Sequence, residues 1–297
     1  MSPLLVLPLF AGFFYALSSL FLKRGLQEGV GFVRTLFLSN LMMAAVVPAL
    51  LFFQTEPVFW DRIHLPLIAG VLFFLGQIFT FVAIRAGDVS VVGPTMGTKV
   101  IFVAVYGSLV FGRDLPPAGW LAVVLAGLAV VLLGLTRNGV GDRRAVLAAI
   151  GWALVSCSFF ALCDNLVSEW SPRFGQPAFV VVLFLFNAVA SLFLVPFFHE
   201  PLRALPRKSW PWIGWGAFLL GLQASLLAVA LTYEEPTVAN TLYSSRGLWT
   251  VVLVAVIGAW FGNREGELPR WILGLRLGGS VLVIVAIYLM LFVAGVA

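Results

Sequence analysis

The chain is a succession of apolar blocks about twenty residues long, cut by short breaks that hold most of its charges. A helix needs about 20 apolar residues to cross a bilayer core of about 30 Å, where backbone groups must bond to one another. Barrel strands alternate apolar and polar residues, and these blocks do not. They predict an all-α membrane protein with spans near 3–22, 33–53, 65–85, 90–111, 117–136, 145–166, 178–198, 210–232, 237–261 and 271–293. Ten such transmembrane helices use up the 297 residues, and the longest connections, around 54–64 and 199–209, are too short to fold alone. Only 10% of residues are charged, against roughly 25% in an average soluble domain. A cytosolic enzyme, a receptor with a folded head and a single-span anchor are excluded.

The net charge of +5 does not point to nucleic acid, because no basic cluster exceeds three residues and most bases stand at span ends. Cys157 and Cys163 are six apart in one apolar block, so a helix points them in different directions and no disulfide or metal site is expected. The segment from Met1 to Leu22 runs into Lys23 and Arg24 with no small-residue cleavage site, and reads as the first span.

Laying residues 1–137 on 144–293 brings out two five-helix repeats. Span 1 holds Gly12-Phe13-Phe14-Tyr15-Ala16-Leu17-Ser18-Ser19 and span 6 holds Gly151-Trp152-Ala153-Leu154-Val155-Ser156-Cys157-Ser158. Asn40 precedes Pro48 in span 2 as Asn187 precedes Pro196 in span 7, and Gly76-Gln77 in span 3 answers Gly221-Leu222-Gln223 in span 8. Gly107 to Gly112 closes span 4 as Gly258 to Gly262 closes span 9. Amides are costly inside spans, so their recurrence in order carries weight. An odd number of spans per repeat turns the second copy upside down, and inverted repeats are the architecture of secondary carriers.

Val89-Ser90-Val91-Val92-Gly93-Pro94, Phe111-Gly112-Arg113-Asp114-Leu115 and Phe261-Gly262-Asn263-Arg264-Glu265 carry a family likeness. With ten spans in two halves and a Gly/Ala/Val-rich fifth span, the chain resembles the drug/metabolite transporter superfamily, specifically its EamA type. The resemblance covers almost the whole chain. It implies an integral membrane transporter.

Lys99 is about the tenth residue of span 4 and Arg246 about the tenth of span 9, which sets both near the midplane. Asp88 to Lys99 and Glu235 to Arg246 are each 11 residues, while counting back from the closing Phe-Gly pairs aligns Arg246 with Met96. An ionised side chain at that depth costs about 2.5–3.5 kcal/mol on insertion scales, and snorkelling from there would need about 15 Å. The 13 acids fall in connections or near span ends, Asp164 being the deepest, so no central acid is expected to neutralise either cation; the alternative is a structural pair with Asp164 or another partly buried acid. Uncompensated midplane cations favour an anionic ligand, arginine as a planar fork and lysine as a point charge. Triose-phosphate translocators of the same superfamily hold phosphate with basic residues of the corresponding spans, and Lys99 and Arg246 resemble that arrangement.

Asn40, Asn187, Gln77, Gln223, Thr98, Tyr243 and Ser245 form a second tier of candidate substrate-binding residues, for which interhelical bonding is the alternative. Tyr15 and Trp152 are placed to enclose an apolar part of a ligand. The run from Asn240 to Gly247 is too polar to face lipid, so span 9 lines the cavity or is partly unwound there. Spans 5 and 10 are expected to stay outside the cavity. His64 and His199 lie in connections, and no nucleotide loop, zincin helix or nucleophile elbow is present, so no enzyme, cofactor or metal is expected.

Connections after odd-numbered spans hold 12 bases and those after even-numbered spans hold 3, which favours both termini outside the cytosol, whereas the resemblance to EamA-type carriers implies termini inside. The expected function is secondary transport of a small organic anion or zwitterionic metabolite, carrying carboxylate or phosphate, by alternating access in the cell (inner) membrane. The protein is expected as a monomer or homodimer among membrane lipids. The alternative is a lipid-phosphate flippase or membrane enzyme built on the same cations.

Overall fold

The computed structural model describes residues 3–86, 92, 95–134, 143–262 and 270–294. Asp88, most of the run from Val89 to Pro94, Arg137 and the Asn263-Arg264-Glu265 turn lie outside these. Among the described residues every regular element is helical. Helix α1 runs Val6–Gln27, α2 Phe32–Val46, α3 His64–Ala86, α4 Lys99–Leu109 and α5 Pro117–Gly134. In the second half come α6 Arg143–Phe174, α7 Gln176–Ala190, α8 Trp210–Tyr233, α9 Pro236–Tyr243, α10 Arg246–Ile257 and α11 Arg270–Tyr288. Seven of the helical segments are long and apolar enough to cross a membrane. Shorter apolar helices stand where the fourth, fifth and tenth spans are expected.

Proline shapes the ends of the second and seventh spans. Helix α2 passes into a 3-10 helix, Val47–Phe53, with Pro48 in its first turn, and α7 into Ser191–Phe197 around Pro196. Proline supplies no amide donor and crowds the preceding turn, so the tighter helix takes over. The turn between α6 and α7 depends on Gly175, at φ 123°, where a Cβ would stand 3.0 Å from the Pro57 carbonyl oxygen.

Helix pairing crosses between the halves. Helix α1 lies along α8 and α3 along α6, α2 leans on α8 and α7 on α3, and α5 pairs with α11. Small residues permit the close crossings, as expected where lipid offers no hydrophobic drive for association. A Cβ on Gly216 would come within 2.6 Å of Leu22, and one on Gly76 within 2.9 Å of Phe160. Each crossing is also tied by a serine: Ser18 Oγ donates to the Gly216 carbonyl and Ser156 Oγ to that of Gly76, both at 2.7 Å. The main apolar core lies among α6 to α9 with α2 and α3, around Phe174, Phe179 and Leu183.

Candidate functional site

The polar run of span 9 breaks its helix. Tyr243 ends α9 and Arg246 begins α10, with Ser244 and Ser245 forming a turn in which Ser245 N donates to Leu242 O at 3.1 Å. Asn, Ser and Thr side chains compete for backbone groups and loosen helices. Here Asn240 Nδ2 donates to Pro236 O at 3.0 Å and Ser244 Oγ to Thr241 O at 2.5 Å. Span 4 breaks likewise: Gly97 and Thr98 form a turn, Thr98 Oγ1 donates to Thr95 O at 2.8 Å, and Lys99 opens α4. The two cations therefore stand at equivalent positions, each the first residue after a break, in the register that counts from Asp88 and Glu235. Residues Asn240 to Ser245 are all buried.

Lys99 Nζ donates to Asp164 Oδ2 at 2.6 Å, and Asn240 Nδ2 donates to the same oxygen at 2.9 Å. The expectation of a lysine without a carboxylate is thus corrected. Helix α6 continues to Phe174, beyond the anticipated end near residue 166, so Asp164 sits about three turns inside it. No hydropathy pattern marked that extension, because Glu169 and Arg173 belong to the helix as an i,i+4 ion pair.

Arg246 has no carboxylate within ion-pairing distance among the described residues. Its guanidinium lies over the rings of Tyr15, 5.0 Å from the centroid, and Tyr243, 4.6 Å. Lys99 Nζ is 5.8 Å from the centroid of the same Tyr243. Both cations, with Gly97, Val100, Asn240, Tyr243 and Ser244, line a cavity with room for about a water molecule. Asn240 Oδ1, Thr241 Oγ1 and Ser245 Oγ are buried without a hydrogen-bond partner. Such groups cost about 1–3 kcal/mol each unless a ligand or water meets them. Asp164 was legible in the sequence as the alternative partner of the cations, and Asn240 and Thr241 as members of the polar run; what sequence could not tell is that Asp164 and Asn240 meet at Lys99.

Of the second tier, Thr98, Tyr243, Ser245 and Tyr15 come to this site. Asn40, Gln77 and Asn187 do not. Asn40 and Gln77 pair reciprocally, Nδ2 to Oε1 at 2.9 Å and Nε2 to Oδ1 at 2.8 Å, and Asn40 also donates to Ser191 Oγ. Asn187 Nδ2 donates to Gly70 O and Leu183 O. Their hydrogen bonds go to packing α2, α3 and α7 together. Asn40→Ala, which strands the Gln77 amide, is expected to cost about 1–3 kcal/mol of stability with ligand affinity unchanged, measured by paired melting and binding curves. Gln223 is buried in α8 and makes no side-chain hydrogen bond among the described residues. Trp152 stacks on Phe79 at 5.5 Å and is 40% exposed, which turns it away from the cations rather than around a ligand.

Helix α1 packs on the break in span 9 with almost no clearance. A Cβ on Gly12 would stand 2.9 Å from Ser245 Oγ and 3.0 Å from Arg246 N. Gly12→Ala is expected to displace the break and cut ligand affinity by roughly tenfold, about 1.4 kcal/mol, a loss that equilibrium binding would measure. Beyond Lys99, one end of the bundle is tied by Arg113. Its Nη1 donates to Asn165 Oδ1 at 2.7 Å, and the guanidinium reaches Glu169 at 3.8 Å and Glu235 at 4.0 Å. Glu235 in turn caps α9 by accepting from Val238 N at 2.9 Å.

No curated protein matches the chain. A solved crystal structure superposes on it with a TM-score of 0.76 over 99% of both chains at 17% identity, which shows a shared fold. Residues 2–135 match the sequence profile of the EamA-like transporter family, a likeness that agrees with the multi-helix, apolar membrane architecture.

Proposed function

We propose that this EamA-like protein carries a small organic anion or zwitterion across the cell (inner) membrane by alternating access around the cavity between Lys99 and Arg246. The observation that carries the reading is Arg246: a buried-site guanidinium with two aromatic walls and no carboxylate partner among the described residues. Arginine presents a planar fork that fits carboxylate or phosphate in bidentate fashion, and low polarity strengthens the pairing. The buried hydroxyls of Thr241 and Ser245, in the same polar run, have no hydrogen-bond partner. Two inverted repeats, 1–137 and 144–293, supply the exchange between states, and the crosswise pairing of α1 with α8 and α3 with α6 supports that relation.

The test is a thermal-shift screen of the purified protein against carboxylates, amino acids and phosphate esters, followed by uptake into proteoliposomes. Anionic ligands are expected to raise the melting temperature and amines are not. Stabilisation by cations or by phospholipid headgroups alone, without uptake of any soluble anion, would sink the proposal.

A further inference from the structure

Asp164 occupies the place an anionic ligand would take on Lys99. Its Oδ2 accepts from Lys99 Nζ at 2.6 Å and from Asn240 Nδ2 at 2.9 Å, while Oδ1 makes no hydrogen bond among the described residues. The same lysine lines the cavity that Arg246 opens onto. An incoming carboxylate or phosphate that engages both cations must compete with this carboxylate for Lys99. Two anions on one ammonium, with little water to screen them, repel strongly, and protonating the displaced carboxylate removes the conflict.

Resting on the anion-site reading, we infer that Asp164 couples transport to protons: the substrate displaces it from Lys99, and Asp164 takes up one proton from the aqueous phase as the substrate binds. The step balances as carboxylate plus proton to carboxylic acid, with Lys99 exchanging its anionic partner and keeping its own charge. On release the substrate leaves, Asp164 gives up the proton and the Lys99 pair re-forms. A monoanion and its proton then cross together without net charge.

The surroundings leave the proton to Asp164. Helix α4 presents Lys99 and Tyr106, whose hydroxyl is hydrogen-bonded to Ser158 of α6, α9 presents Tyr243 and Asn240, and α10 holds Arg246 over the Tyr243 ring. Cys157 and Cys163 of α6 are buried free thiols. Arg113 is engaged by Asn165, Glu169 and Glu235. The other elements packed on α6 carry titratable groups only at their ends, His64 and Arg85 on α3 and Tyr233 on α8, with Asp61 and Arg62 in the turn before α3, while α7 carries none.

Acetate and sulfate test the inference, a carboxylate and a tetrahedral oxyanion that both stay ionised near neutral pH, so a proton taken up belongs to the protein. Their apparent affinities are measured by thermal shift on the full chain in detergent at a series of pH values. In the parent, affinity is expected to rise by up to about tenfold for each unit of falling pH, the linkage for one proton. In Asp164→Asn the dependence is expected to vanish and binding to strengthen roughly tenfold or more, because the internal competitor is gone. Lys99→Gln/Asp164→Asn, which removes both charges of the pair together, serves if the single variant does not fold. It too is expected to bind without pH dependence, and more weakly. Parent binding that ignores pH would overturn the coupling and leave the anion site standing, and a pH slope that survives loss of Asp164 would overturn it equally. Absence of binding to every variant would overturn the anion site and this inference with it.

Discussion

Arg246→Gln is expected to reduce affinity for the anionic substrate by about 30-fold to 1,000-fold, roughly 2–4 kcal/mol, while the protein melts at or above the parent temperature. The direction of the stability effect is the diagnostic part. Arg246 is half-buried and has no acid partner among the described residues, so its removal strands no opposite charge and takes a guanidinium out of the membrane interior. Lysine at the same position keeps the charge but loses the fork and the stacking between Tyr15 and Tyr243, so Arg246→Lys is expected to recover only part of the affinity. Binding titrations and melting curves on the same preparations separate the outcomes. Loss of stability without a specific loss of affinity would show that the guanidinium holds the bundle together instead of a ligand.

The helical membrane class was legible because hydropathy is read over twenty residues at a time and tolerates local error. The break in span 9 was legible as well, since Asn240, Thr241, Ser244 and Ser245 are an untenable run for lipid. What hydropathy could not convey is where a charge finds its partner. Asp164 looked like a span-end residue because Glu169 and Arg173 follow it, yet they extend α6 as an exposed ion pair and leave Asp164 facing Lys99. The amides posed the opposite difficulty. Asn40 and Gln77 recur with Asn187 and Gln223, but recurrence marks a position in the repeat and not a direction, and only the reciprocal amide pair reveals that the first two face each other. Trp152 and Ser156 are four apart and share the face of α6 that packs on α3, where Trp152 stacks on Phe79 and Ser156 bonds Gly76; spacing alone could not tell that this face meets α3 and not the cations.

Lys99 and Asp164 are expected to behave as a unit, in contrast to Arg246. The pair is buried, with side-chain exposures of 13% and 10%, and joined at 2.6 Å. Lys99→Gln leaves a carboxylate in the membrane interior with Asn240 as its remaining donor, and Asp164→Asn leaves an ammonium with the Tyr243 ring. Each single change is expected to cost about 3–5 kcal/mol, whereas the double variant Lys99→Gln/Asp164→Asn is expected to return to within about 1 kcal/mol of the parent. The coupling energy of that cycle, several kcal/mol, is well above the roughly 0.3–0.5 kcal/mol scatter of independent sites. Equilibrium unfolding of the four proteins in the same detergent measures it. Pairing Arg246→Gln with Asp164→Asn in a second cycle is expected to show far weaker coupling, since no hydrogen bond or ion pair joins the two among the described residues. Additive losses in the first cycle would mean that Lys99 and Asp164 are each held by other groups, and that the lysine is not the shared partner for which substrate and Asp164 compete.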